Sequence, residues 1–154
     1  DRGETSKAEN IFERLVKLDA AFEKEHKHLF NEFGINLRKN GMLDQAVAYY
    51  TRAMDLEAQD DHLYHNLARA YLEKKDVGRA TEYLLKSLEL NPDLEASIKF
   101  LLWLVSKNLV PAEHKAGVAA MLQKIKQAQG TAKQPAPAGE TSDAAGETGE
   151  GTAT

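Results

Sequence analysis

Sliding the 154-residue chain against itself by 34 positions brings His28-Leu29 onto His62-Leu63, Ala46 onto Ala80, Tyr49 onto Tyr83 and Leu56 onto Leu90. Residue classes agree further. Aromatic Phe30 falls on Tyr64, Phe33 on Leu67, small Gly34 on Ala68, Leu37 on Tyr71, bulky Tyr50 on Leu84 and small Ala53 on Ser87. A fixed period of this length predicts one supersecondary unit, repeated and stacked, because such a unit cannot bury its apolar face alone. The alternation has a packing reason: a small residue stands where two helices approach closely, and a bulky one fills the groove beside it.

Within the repeat, apolar residues recur every three or four positions, the spacing of one helix face, and Pro is absent before Pro92. The first stripes run through Ile11, Leu15, Leu18 and Phe22, then Leu29, Phe30, Phe33 and Leu37, then Ala46, Tyr49, Tyr50, Ala53 and Met54. Leu63, Tyr64, Leu67, Ala68 and Tyr71 follow, then Ala80, Tyr83, Leu84, Ser87 and Leu88. The last two are Ile98, Leu101, Leu102 and Val105, and Val118, Met121, Leu122 and Ile125. Asn40-Gly41, Lys75-Asp76 and Asn91-Pro92 mark helix ends, Asp44 is placed to cap, and Pro111 suits the first turn of the last helix. The spacing predicts an all-α chain of about seven helices of roughly 12–18 residues, with no competing strand pattern.

Composition changes sharply at the C-terminal end. Residues 130–154 contain no Val, Ile, Leu, Phe, Met, Tyr or Trp, but five Gly, two Pro, four acids and one Lys. A segment with nothing to bury cannot offset the entropy of ordering itself, so a disordered acidic Gly/Ala/Pro-rich tail is expected there. It carries −3 of the net charge of −4 and leaves only −1 for residues 1–129. That balance argues against a nucleic-acid partner, since such affinity comes mostly from Lys and Arg neutralising phosphates. Absence of Cys excludes a disulfide framework, a thiolate metal site and a thiol nucleophile. Apolar runs such as Leu101 to Val105 fall far short of the ~20 residues of a membrane helix, so no membrane insertion is expected. Without Cys or a basic leader the cytoplasm is the expected compartment. The first residue is Asp1, which fits a segment or processed form of something longer.

The pattern resembles the tetratricopeptide repeat, a helix–turn–helix unit of ~34 residues. That family runs large, Leu, small, aromatic in its first helix, then Ala, bulky, small in its second, then Pro. Tyr64, Leu67, Ala68, Tyr71, Ala80, Leu84, Ser87 and Pro92 fit it in one unit. Phe30, Phe33, Gly34, Leu37, Ala46, Tyr50 and Ala53 fit it in the unit before, with Ala58 where Pro is usual. The resemblance implies a right-handed solenoid of antiparallel helix pairs. Its parts would be an N-terminal helix within 1–26, a first unit over 27–60 and a second over 61–94. A degenerate third unit with capping helices covers 95–129, where His114 replaces the small Ala, and the tail covers 130–154.

In this family first helices line a concave face. Residues left over after the packing stripe should point into it: Asn31, Ile35 and Arg38 from the first unit, His62, His65, Asn66 and Arg69 from the second, and Lys99 and Trp103 from the third. Amides, imidazoles, cations and an indole on one surface suit an extended or helical peptide, amides meeting its backbone, Arg its carboxylates and Trp its apolar side chains. The family's two-carboxylate clamp for chaperone C-terminal tails is not expected. Of its five places only that of Asn66 matches, and Asn31, Ile35, Ala96 and Phe100 stand at the others.

Other chemistry has less support. His62 and His65 are one turn apart, with Asp60 and Asp61 adjacent, but no metal and no cofactor are expected. A groove that gains charge on mild acidification is the better use of several imidazoles. No nucleophile elbow, Gly-rich phosphate loop or buried carboxylate pair points to catalysis. The reading is therefore a protein-interaction module that binds a partner's peptide segment, as part of a larger signalling or assembly protein. Its alternative is a homodimer formed through the exposed apolar side of the end helix, Ile11, Leu15, Leu18 and Phe22.

Overall fold

The computed structural model describes residues 2–18, 21 and 25–131. Among them lie seven α-helices: α1 (Arg2–Leu18), α2 (Lys27–Lys39), α3 (Leu43–Leu56), α4 (Asp61–Glu73), α5 (Val77–Leu90), α6 (Glu95–Ser106) and α7 (Lys115–Thr131). A short 3-10 turn at Ala112–His114, opened by Pro111, leads into α7. No strand occurs among the described residues. Of the expected tail over 130–154, residues 130 and 131 instead end α7 and the rest lies outside the described residues, as does Phe22.

Small-on-large packing makes the pairs. Helices α2 and α3 pack closely, as do α4 and α5, and α3 and α4 join the two pairs. Phe30, Leu37, Ala46 and Tyr50 are fully buried in the first pair, and Leu67, Ala68, Ala80 and Leu84 in the second. At Gly34 the requirement is absolute: an added Cβ would stand 2.5 Å from Cε1 and 2.6 Å from Cδ1 of the Tyr50 ring. Leu84 is slimmer than Tyr50, and Ala68 suffices opposite it.

The apolar surface forms two cores. The first is largely aromatic and brings α1 onto the first pair. Phe12 meets Phe30 edge-on at 5.0 Å and Phe33 at 4.5 Å, while Phe33 stacks on Tyr49 at 5.7 Å. The buried side of α1 is thus Phe12 and Val16, and of the expected stripe Ile11 and Leu15 are exposed instead. The second core gathers Leu84 and Leu88 of α5, Leu101 and Leu104 of α6, and Val118, Met121 and Ile125 of α7.

The third pair departs from the other two. Both α6 and α7 lean on α5, and they approach each other far less closely than α2 and α3 or α4 and α5 do. Leu102 and Val105, expected in the α6 stripe, are exposed, and Leu104 is buried instead. The turns give the reason. Gly41, Lys75 and Asn108 each take a left-handed conformation, with φ of 75°, 68° and 53°. Each closes its helix by the same pair of bonds, as in Gly41 N–H to Arg38 O and Met42 N–H to Leu37 O, both 2.9 Å. The spacing is 34 residues and then 33, so α6 stops one residue early. One residue is about 100° of helical rotation, which turns Leu102 and Val105 out and Leu104 in.

Two caps are built as the residue types suggest. Asp60 Oδ1 accepts from Leu63 N–H at 3.1 Å, and Asp76 Oδ1 from Arg79 N–H at 3.0 Å. Asp44 does not cap α3, whose first residue follows Met42; its carboxylate instead takes the Lys74 ammonium.

Gly34→Ala is expected to destabilise the chain by about 1–3 kcal/mol, because the rigid ring of Tyr50 has no lateral room. Lys75→Gly relieves a left-handed Lys and should stabilise it by about 0.5–1 kcal/mol. Urea unfolding followed by circular dichroism measures both, and equal midpoints for Gly34→Ala and wild type would refute the close-approach account.

Candidate functional site

First helices lie side by side in the order α2, α4, α6, and three polar links cross between them. Asn66 donates from Nδ2 to Asn31 Oδ1 at 3.0 Å. Arg38 pairs with Glu73. His65 Nδ1 lies 3.0 Å from Ser97 Oγ. Partners in these links are 35, 35 and 32 residues apart, so side chains about one repeat apart are neighbours, as the 34-residue period requires. Helices α2 and α4 come closer to each other than α4 and α6 do.

The gap between α4 and α6 is a cleft of about 520 Å³. His65, Arg69, Leu72 and Glu73 form one wall, and Ala96, Lys99, Phe100 and Trp103 the other. Four predicted groove residues therefore converge: His65, Arg69, Lys99 and Trp103. Trp103 is 42% exposed and sits 6.2 Å from Phe100, whose ring meets His65 edge-on at 6.0 Å. Arg69 forms no ion pair among the described residues, because Glu73, one turn on, is held by Arg38. Lys99 is tied to Glu95 at 3.0 Å, an exposed pair that holds it weakly.

The other predicted residues serve different ends. Arg38 is 8% exposed, its Nε is buried without a partner, and its charge is spent on Glu73, so it braces α2 against α4. Ile35 packs against the aromatic core and does not line the cleft. Asn31 faces Asn66 and borders a separate small recess beside Lys27 and Asp60. His62 is exposed and bonds Asp61 Oδ1 at 2.8 Å. Ligand atoms of Asp60, Asp61 and His62 lie within 4.8 Å of one another, but each carboxylate already has structural duties. Asp60 caps α4, and Asp61 accepts from Asn91 Nδ2 at 2.5 Å. Leu72 and Ala96 were not singled out in advance. The signal available was size: Ala96 is the short residue that leaves room opposite His65.

Burial pushes the His65 imidazole down to about 4, and the Arg69 guanidinium, the His62 ring and Arg38 press it the same way. This corrects the expectation of a groove that charges on mild acidification, since the imidazole in the cleft stays neutral there. Its proton affinity is lower folded than unfolded, where it is near 6.5. Between those values the unfolded chain binds more protons, so this group's stabilisation is complete above pH ~6.5 and lost as pH falls toward 4. In His65→Gln the loss of stability from pH 7 to 4.5 should be smaller than in wild type by about 1–2 kcal/mol. Urea titrations of both chains at the two pH values test this, and parallel losses would contradict it.

No helix of the described residues is long and apolar enough to cross a membrane. Residues 37–99 match the family model described as tetratricopeptide repeat. The mitochondrial import receptor subunit TOM70 of Saccharomyces cerevisiae, in strains YJM789 and S288c, is 29% identical over 89 residues. That stretch is 58% of this chain and 14% of the receptor subunit, so the chain spans only a small part of these relatives. Repeated helix pairs and the 34-residue neighbour rule agree with that match, and over residues 37–99 this chain is similar to the tetratricopeptide repeat.

Proposed function

We propose that the chain is a protein-interaction module that binds a peptide segment of a partner protein along α2, α4 and α6. The observation that carries this is the α4–α6 cleft, where the aromatic pair Phe100–Trp103 faces an unpaired Arg69. The half-exposed indole and its Phe100 neighbour leave apolar area in water for a partner to cover, beside a cation with no ion pair among the described residues, and such patches mark interaction sites. The similar segment in a protein named as an import receptor subunit supports recognition of a protein rather than catalysis. Arg69→Glu combined with Trp103→Ala should abolish partner capture from a native extract while far-UV circular dichroism stays helical. Undiminished capture by the double variant would rule out the groove.

A second reading, self-association, has its own observation. Ile11 and Leu15 lie four residues apart on α1 and are 60% and 44% exposed. Two such stripes packed together would bury what each leaves wet; Phe22, also expected in that face, lies outside the described residues. Sedimentation equilibrium at tens of micromolar should show a dimer that Ile11→Glu dissociates. A strict monomer would discard this reading.

A further inference from the structure

A chain of buried hydroxyls fixes what the cleft offers a ligand. His65 Nδ1 lies 3.0 Å from Ser97 Oγ, Ser97 Oγ lies 2.8 Å from Ser87 Oγ, and Ser87 Oγ lies 2.8 Å from the carbonyl of Asp61. Both serines are fully buried, so water supplies no alternative partner. A carbonyl has no proton, so Ser87 must donate its single hydroxyl proton to Asp61. Ser87 then accepts from Ser97, whose own proton is thereby used. Ser97 can only accept from the ring, which makes His65 the Nδ1–H tautomer with a lone pair on Nε2. That nitrogen has no hydrogen bond among the described residues and is not among their buried unpartnered atoms, while His65 forms part of the cleft wall. The cleft therefore presents a fixed acceptor at His65, a free cation at Arg69 one turn away, and an apolar surface at Leu72, Phe100 and Trp103.

We propose that the α4–α6 cleft selects an acidic–aromatic peptide segment: a bulky aromatic side chain rests on Phe100 and Trp103, a neighbouring carboxylate meets Arg69, and an N–H of the same segment donates to His65 Nε2. This rests on the peptide-groove reading and narrows it to one ligand class. A cleft of about 520 Å³ falls in the ~300–1,000 Å³ range of sites that hold small ligands and side chains. The chain's own residues 130–154 supply four carboxylates but no aromatic or large aliphatic residue, so they do not fit this description. The low proton affinity of His65 agrees with an acceptor role, because protonation beside Arg69 would set two cations together.

The probes are three fluorescein-labelled hexapeptides: Gly-Ser-Asp-Phe-Asp-Ser, the same peptide with Lys for both Asp, and the same peptide with Ala for Phe. Polarisation titrations against the full chain should show the first binding at least tenfold more tightly than either of the others. Arg69→Gln should erase the preference for Asp over Lys. His65→Phe should weaken the first peptide about tenfold while keeping that preference. Independently of any variant, long-range proton–nitrogen spectra of the wild-type ring should show the proton on Nδ1. A ring protonated on Nε2, or equal affinity for the Asp and Lys peptides, overturns the ligand assignment and leaves the groove reading standing. Failure of all three peptides, together with unchanged partner capture by the Arg69→Glu, Trp103→Ala double variant, overturns both.

Discussion

Close approach of α2 and α3 at Gly34 and Tyr50 sets the geometry on which the rest of the chain depends. The Tyr50 ring fills the space where residue 34 would otherwise carry a Cβ, which draws the two backbones together. Ala68 and Leu84 repeat the arrangement in the next pair, with less bulk on both sides. Once the pairs are closed, their outer faces must be covered by neighbours, and stacking follows. The aromatic core under α1 and the aliphatic core under α6 and α7 are the two consequences. Neither could form around helices held further apart.

Stacking explains the polar surface as well as the apolar one. Side chains about one repeat apart become neighbours, and polar ones among them pair with each other before they meet solvent. Asn31 with Asn66 and Arg38 with Glu73 are such pairs, and they close the seam between α2 and α4. Between α4 and α6 one polar link among the described residues, His65 with Ser97, makes the crossing, and the helices part around it. The site exists because the solenoid is sealed at one seam and open at the next. The same local reasoning gives the two cations different fates: Arg38 is neutralised by Glu73, and with Glu73 occupied, Arg69 is left facing the cleft.

Much of this was legible along the chain. The period, the helix pairs and the small-on-large positions follow from spacing and size, and four of the eight cleft residues follow from what the resemblance implies about first helices. The errors are equally physical. Ile11 and Leu15 read as a packing stripe, yet Phe12 and Val16 are buried, because adjacent residues on an apolar helix offer two overlapping faces and only a neighbour chooses between them. Leu102 and Val105 were placed by a strict count of 34. The turn at Asn108 shortens that count by one, and Asn before Leu109 was the available sign of it. Ile35 and Arg38 occupy the predicted helix, but Ile35 packs against the aromatic core and Arg38 is buried on Glu73 at the seam.

Amino-acid order alone determined that the chain is a series of amphipathic helices, where the turns between α2, α3, α4, α5 and α6 fall, and which residues are small enough for close contact. These are matters of periodicity, capping chemistry and volume, all written locally. Tertiary structure alone decided which first helices touch and which separate. It also decided which cation is spent, and which nitrogen of His65 holds its proton, since that proton is set by a hydroxyl relay through Ser97 and Ser87 to a carbonyl on another turn. Such facts depend on distances between residues about one repeat apart, and no property of the residues taken singly contains them.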